Sequence, residues 1–171
     1  MNSIILSKCD DMCPSEEVKF RIEKRLVNRF EMDKNTKTPN PKFMVKEYRR
    51  SAAATDHLNP ILLRTTKTLL RTIDYLLELY KNTTLLEKES FSAVYSFVTD
   101  RLRAVRQDMI LQQCSPKDTQ NILERMLPFY IVTEYICIVE NCKEYNWKLH
   151  STQLEECFSR WAETLLYILF H

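Results

Sequence analysis

The stretch Phe97–Met109, FVTDRLRAVRQDM, decides the fold. Its apolar residues keep helical spacing, yet Asp100, Arg101, Arg103, Arg106 and Asp108 crowd charge onto the same turns. Extended upstream, the stripe runs Phe91, Val94, Val98, Leu102, Val105, Met109. At about 100° per residue these side chains fall within roughly 80° of one another. Arg101 and Asp108 fall together, roughly 20–40° outside the stripe. Arg103 and Arg106 lie on its other side, and Asp100 points nearly opposite. A helix of this pattern buries one face and holds Arg101 and Asp108 half-buried at its border. An unpaired charge there is expensive, so both need partners on a neighbouring element. Glu31, Glu47 and Asp74 are the candidates. A structural ion network of Arg101, Asp108, Asp100, Arg103 and Arg106 is therefore expected, ahead of a phosphate grip or an acid/base pair.

The rest of the chain reads as helices. Asn-Pro or Ser-Pro pairs at 40–41, 59–60 and 115–116, Pro14 before Glu16 and Glu17, and Thr152 with Glu155 mark helix starts. Val18, Ile22, Leu26 and Phe30 step by four along a first helix. Pro128 is expected to split the apolar run at 121–140 into two helices or to kink it. The expected helices are 14–32, 42–55, 60–82, 89–113, 116–127, 128–142 and 151–170. No strong strand candidate is present, with FYIVTEYICIV at 129–139 the ambiguous stretch, and no repeat at a fixed period is visible. The fold class is all-α, an antiparallel helical array forming one domain over 1–171.

Composition narrows the function. The 171 residues contain no glycine, which removes phosphate-cradling loops, dinucleotide turns and nucleophile elbows. Net charge is +2, too even for a strongly basic nucleic-acid binder. It is uneven along the chain: +4 over 1–50, +1 over 51–113 and −3 over 114–171. Arg21, Arg25 and Arg29, with Lys46, Arg49 and Arg50, are candidate contacts to phosphate or an acidic partner. The competing account is an ordinary solvated face. The six cysteines come without a secretion signal and read as reduced, structural thiols. Cys9-x3-Cys13 has a permitted zinc spacing but lacks a convincing second pair. No stretch is long and apolar enough to span a membrane. No catalytic residue, cofactor or metal is expected, and a thiol enzyme is the reading from another class.

Several segments together resemble one family: CDDMCPSEEVKFRI at 9–22, RFE at 29–31, VKEYRRSAA at 45–53, LLRTTKTLLRTIDYLL at 62–77 and FVTDRLRAVRQDMILQ at 97–112. They look like the core of the GANP family, that of the germinal-centre-associated nuclear protein and the yeast suppressor-of-actin export factor. The likeness covers 9–113, and 114–171 is a more diverged continuation. PFY at 128–130, Ala54 and Thr65 depart from the family pattern. The resemblance implies a tetratricopeptide-like array leading into a PCI-type winged helix, which is missing from this chain. It implies a scaffold without catalysis, binding other protein subunits (PCI-type, export-complex or centrosomal) and RNA only weakly. Two roles follow. One is mRNA export within a transcription-and-export complex in the nucleus, on the pore side. The other is centrosome duplication and spindle assembly in the cytoplasm, which short members of the family serve.

Overall fold

The computed structural model describes residues 7–50, 59–85 and 91–170, without the side chains of residues 84 and 85. The described residues form five α-helices and one 3-10 turn, Arg29–Glu31, with no strand. The helices are α1 (Ser15–Glu23), α2 (Thr66–Leu85), α3 (Phe91–Leu111), α4 (Pro116–Val139) and α5 (Trp147–Phe170). The chain is all-α, as the periodicity predicts.

Helices α2 to α5 alternate in direction. At one end of the α2–α3 pair Arg64 meets Asp108, and at the other Tyr80 meets Phe91 with ring centroids 6.0 Å apart. In the α4–α5 pair, Trp161 donates to Glu124 at 3.1 Å while His150 bonds the Tyr130 carbonyl at 2.9 Å. The core is continuous through this array. It includes Leu69, Ile73 and Leu76 of α2, the α3 stripe, Ile122, Leu123, Met126 and Tyr130 of α4, and Cys157 of α5.

Several boundaries differ from the sequence expectation. The residues 24–28 leave the first helix early, because Arg25 turns left-handed at φ 56°. The expected apolar stripe on α1 is not its buried face. Ile22 and Leu26 are exposed, while Glu17 and Arg21 are buried. Residues 42–50 form no helix, and 51–55 lie outside the described residues. Both Asn-Pro pairs make single turns instead of starting helices: the Asn40 side chain accepts from Lys42 N–H, and Asn59 from Ile61 N–H. α2 begins only at Thr66. α5 begins earlier than expected, where the Asn146 side chain accepts from Leu149 N–H at 3.0 Å. Pro128 does not split α4, which runs unbroken from Pro116 to Val139. The ring sits on the exposed face, where water can satisfy the Glu124 carbonyl that loses its partner.

With no glycine, the left-handed residues after α1, α3 and α4 are Arg25, Gln113 and Asn141. Each closes a Schellman motif. The next residue's N–H reaches back five positions: Leu26 to Arg21, Cys114 to Met109, Cys142 to Cys137.

Candidate functional site: a charged staple and two outer surfaces

The α3 charges hold the irregular N-terminal segments onto the helical array. Segment 8–13 runs beside 60–65: Cys9 N–H bonds the Leu63 carbonyl and Thr65 N–H bonds the Cys9 carbonyl. Lys46 N–H bonds the Met12 carbonyl, which brings in segment 44–48. These extended pieces lie against α3, and two ion clusters fix them there.

The first cluster centres on Glu31. Its carboxylate takes Arg21, Arg101 at 3.3 Å, and the backbone N–H groups of Asn28 and Val45 at 3.0 Å each. Glu47 bridges the same two arginines, at 3.2 Å to Arg21 and 3.1 Å to Arg101. Arg101 also bonds Asp100 at 2.6 Å, and Asp100 accepts from Tyr48 N–H. Arg21 is fully buried. Burial opposes its charge, but Glu31 and then Glu47 outweigh that and raise its pKa above the ordinary value.

The second cluster centres on Asp108. Its two oxygens take Arg64 Nε at 2.7 Å and Lys46 Nζ at 2.6 Å. Lys46 Nζ continues to the Leu62 carbonyl at 2.7 Å, and Gln112 donates to the Arg64 carbonyl at 3.0 Å. One helix thus reads two N-terminal segments through two residues of opposite sign, Arg101 and Asp108.

This placement revises the expectations residue by residue. Arg101 and Asp108 are buried, deeper than the half-burial that the helical wheel assigns. Asp74 is not their partner; it pairs with Arg125 at 2.5 Å on the surface. Arg21 and Lys46, candidates for a partner or phosphate contact, are internal pairing residues instead. Arg25, Arg29, Arg49 and Arg50 do sit on the exposed surface. Arg106 faces α5, where it bonds Gln153 at 2.7 Å and Glu156 at 2.5 Å. Arg103 stacks over the Tyr48 ring, 3.9 Å from its centroid. Arg64 completes the second cluster although no sequence expectation singled it out.

His150 and the buried thiols have structural surroundings. His150 accepts from Tyr95 Oη at Nδ1, 2.8 Å, and donates from Nε2 to the Tyr130 carbonyl, so it ties α3, α4 and α5 together. Burial lowers its pKa. Burial likewise raises the thiols of Cys9, Cys13, Cys114, Cys137 and Cys157, the opposite of what a thiolate nucleophile needs. Among the described residues no cluster of His, Cys, Asp and Glu has metal-binding geometry, and no helix is long and apolar enough to cross a membrane.

The outer face of α4 changes character at Pro128. Before it stand Lys117, Asn121, Glu124 and Arg125; after it Ile131, Val132, Tyr135, Ile138 and Val139, all exposed. The end of α5 adds Leu166, Tyr167, Leu169 and Phe170. These are two separate apolar groups, because α5 runs antiparallel to α4: the α4 group shares its end of the pair with the exposed Trp147 and Leu149, while Tyr167 lies beside Pro116 and Thr119 at the other end. Exposed apolar patches are candidate protein contacts.

The profile of the SAC3/GANP family matches residues 12–166, from the first ion cluster through α5. The chain belongs to the SAC3/GANP family. It is 31% identical over 131 residues to SAC3 family protein B of Arabidopsis thaliana, covering 76% of this chain and 7% of that protein. It is 29% identical over 136 residues to SAC3 family protein 1 of Schizosaccharomyces pombe, covering 80% of this chain and 12% of that protein. The chain thus corresponds to a small part of the length of either relative. The SAC3/GANP match extends well past residue 113 and takes in both α4 and α5.

Proposed function

We propose that the chain is a non-enzymatic scaffold domain that takes part in mRNA export from the nucleus within a transcription-and-export complex. The observation that carries this reading is the SAC3/GANP family match across residues 12–166. Three structural features support it. The charged residues near α3 are largely consumed in holding the fold. Burial raises the pKa of the Cys13 and Cys157 thiols and so keeps them protonated. The exposed apolar groups at the two ends of the α4–α5 pair are suited to receive other protein. On this reading residues 1–171 form one helical unit, the N-terminal part of a PCI-type array. The partners are PCI-type or other export-complex subunits, the site of action is the nucleus on the pore side, and RNA contact is weak and salt-sensitive.

Affinity purification of the tagged chain, paired with imaging in dividing cells, tests this. Recovery of export-complex subunits and signal at the nuclear rim is expected. Recovery of centrosomal proteins with signal at the spindle poles sinks the export assignment in favour of a mitotic one. Recovery of no stable partner sinks the scaffold role itself.

A further inference from the structure

Arg49, Arg50 and Arg103 lie outside both ion clusters, on the Tyr48 segment and on the α3 flank that faces it. Arg101 and Arg106 are paired with carboxylates, but Arg103 is not; among the described residues its contact is the Tyr48 ring. Its Nε is buried without a hydrogen-bond partner. Arg103 forms one wall of a depression of about 190 Å³, lined otherwise by Tyr48, Arg106, Gln107, Ile110 and Leu111. No carboxylate lines it. Gln107 donates to the Arg49 carbonyl at 2.9 Å, which holds the Arg49 backbone beside the depression; the Arg49 guanidinium itself lies over Phe20, and Arg50 follows it in the chain. Both are exposed, and no carboxylate pairs with either among the described residues. Ile110, 45% exposed, supplies an apolar spot beside these cations. The nearest acidic groups belong elsewhere. Asp100 is held by Arg101 and Tyr48 N–H, Glu156 by Arg106, and Glu144 lies in a neighbouring hollow on the far side of Arg103.

We propose that the depression between Tyr48 and the Arg103–Leu111 flank of α3 docks an acidic protein segment that carries a bulky apolar side chain. Arg49, Arg50 and the outer nitrogens of Arg103 meet the carboxylates, and Ile110 with Leu111 receives the apolar group. Paired guanidinium–carboxylate contacts supply orientation as well as attraction. Single-stranded nucleic acid fits less well. Binding it relies on open aromatic faces, yet Arg103 covers Tyr48 and Arg49 lies over Phe20, 5.8 Å from its centroid. This surface lies apart from the exposed apolar groups of α4 and α5, and the inference does not depend on the export assignment.

The test uses the full chain and three fluorescent probes: a Glu/Asp peptide bearing leucines, the same peptide with serine for leucine, and oligouridine. Anisotropy titration is expected to rank the leucine peptide first, with binding that weakens as salt rises. The Arg49→Ala/Arg50→Ala double variant, whose side chains are exposed, is expected to weaken that peptide roughly tenfold while keeping the helical circular dichroism. Ile110→Ser is expected to bring the leucine peptide down to the level of the serine one. Failure of the leucine peptide to bind, binding unchanged in both variants, or oligouridine binding more tightly than the peptide would each overturn the proposal.

Discussion

Arg64 and Asp108 stand 44 residues apart in sequence and form an ion pair with neither side chain reached by solvent, Nε to Oδ2 2.7 Å. A pair so enclosed is sensitive to losing one partner. Asp108→Ala leaves the Arg64 guanidinium buried beside an empty space, and Lys46 must turn outward. The expected loss is about 3–5 kcal/mol in urea unfolding. Replacing both partners together, Arg64→Met with Asp108→Leu, should recover most of that loss, because the buried guanidinium is gone and the remaining cation, Lys46, is part exposed and can turn to solvent. A double variant as unstable as Asp108→Ala would show that the pair's own attraction, not the orphaned charge, sets the cost.

Arg101 and Arg103 sit on one helix, two positions apart, in opposite circumstances. Arg101 neutralises Glu31 and Glu47 where little water reaches, so Arg101→Ala should cost about 2–4 kcal/mol. Arg103 contributes a stack on Tyr48, worth about 0.5–1 kcal/mol near the surface. Arg103→Gln should therefore change the unfolding midpoint little. Equal losses in the two variants would contradict the division between a structural and a free arginine.

The contrast also shows what sequence can carry. The α3 stripe is legible because Val94, Val98, Leu102, Val105 and Met109 are buried by contacts that any neighbouring helix would provide. The partners of Arg101 and Asp108 are legible only in part: Glu31 and Glu47 are among the candidates for Arg101, but Arg64 and Lys46 are not among those for Asp108. Glu31, Glu47, Arg64 and Lys46 reach α3 from irregular segments with no periodicity to read. The first helix misleads for the same reason: its buried face is Glu17 and Arg21, held by carboxylates and backbone groups far along the chain. An apolar pattern then points to the wrong side. The Asn-Pro pairs show a related limit. A proline preset for a first turn starts a helix only if the next residues are free to continue, and those after Asn40 and Asn59 are drawn off toward Asp108 through Lys46 and Arg64.

His150 gives the stability a pH dependence. Burial holds its folded pKa below the value near 6.5 that it takes when unfolded. As pH falls through about 6.5, the unfolded chain takes up a proton that the folded chain refuses. Stability is therefore lost toward acid, by at most about 1.4 kcal/mol per pH unit, until the lowered folded pKa is reached. Above about 6.5 both states are neutral and the term is constant. Thermal melts at pH 7.5 and 5.5 should show this loss, and His150→Gln should flatten it while lowering stability overall, since Tyr95 Oη and the Tyr130 carbonyl lose part of their pairing. A variant with the same slope would assign the acid sensitivity to other groups.

The left-handed helix ends offer the opposite kind of change, one that stabilises. Gln113 holds φ at 52° so that Cys114 N–H can reach the Met109 carbonyl, and its side chain is exposed. A residue with a Cβ is strained there by about 1–2 kcal/mol, a cost that glycine escapes. Glycine also gives the unfolded chain more freedom, which offsets part of the gain. Gln113→Gly should therefore add about 0.5–1 kcal/mol in urea unfolding. Asn141→Gly, at φ 48°, should add less, because asparagine tolerates this region better than glutamine. If Gln113→Gly lowered stability instead, the side chain would be contributing a contact at the α3–α4 turn that outweighs its backbone strain.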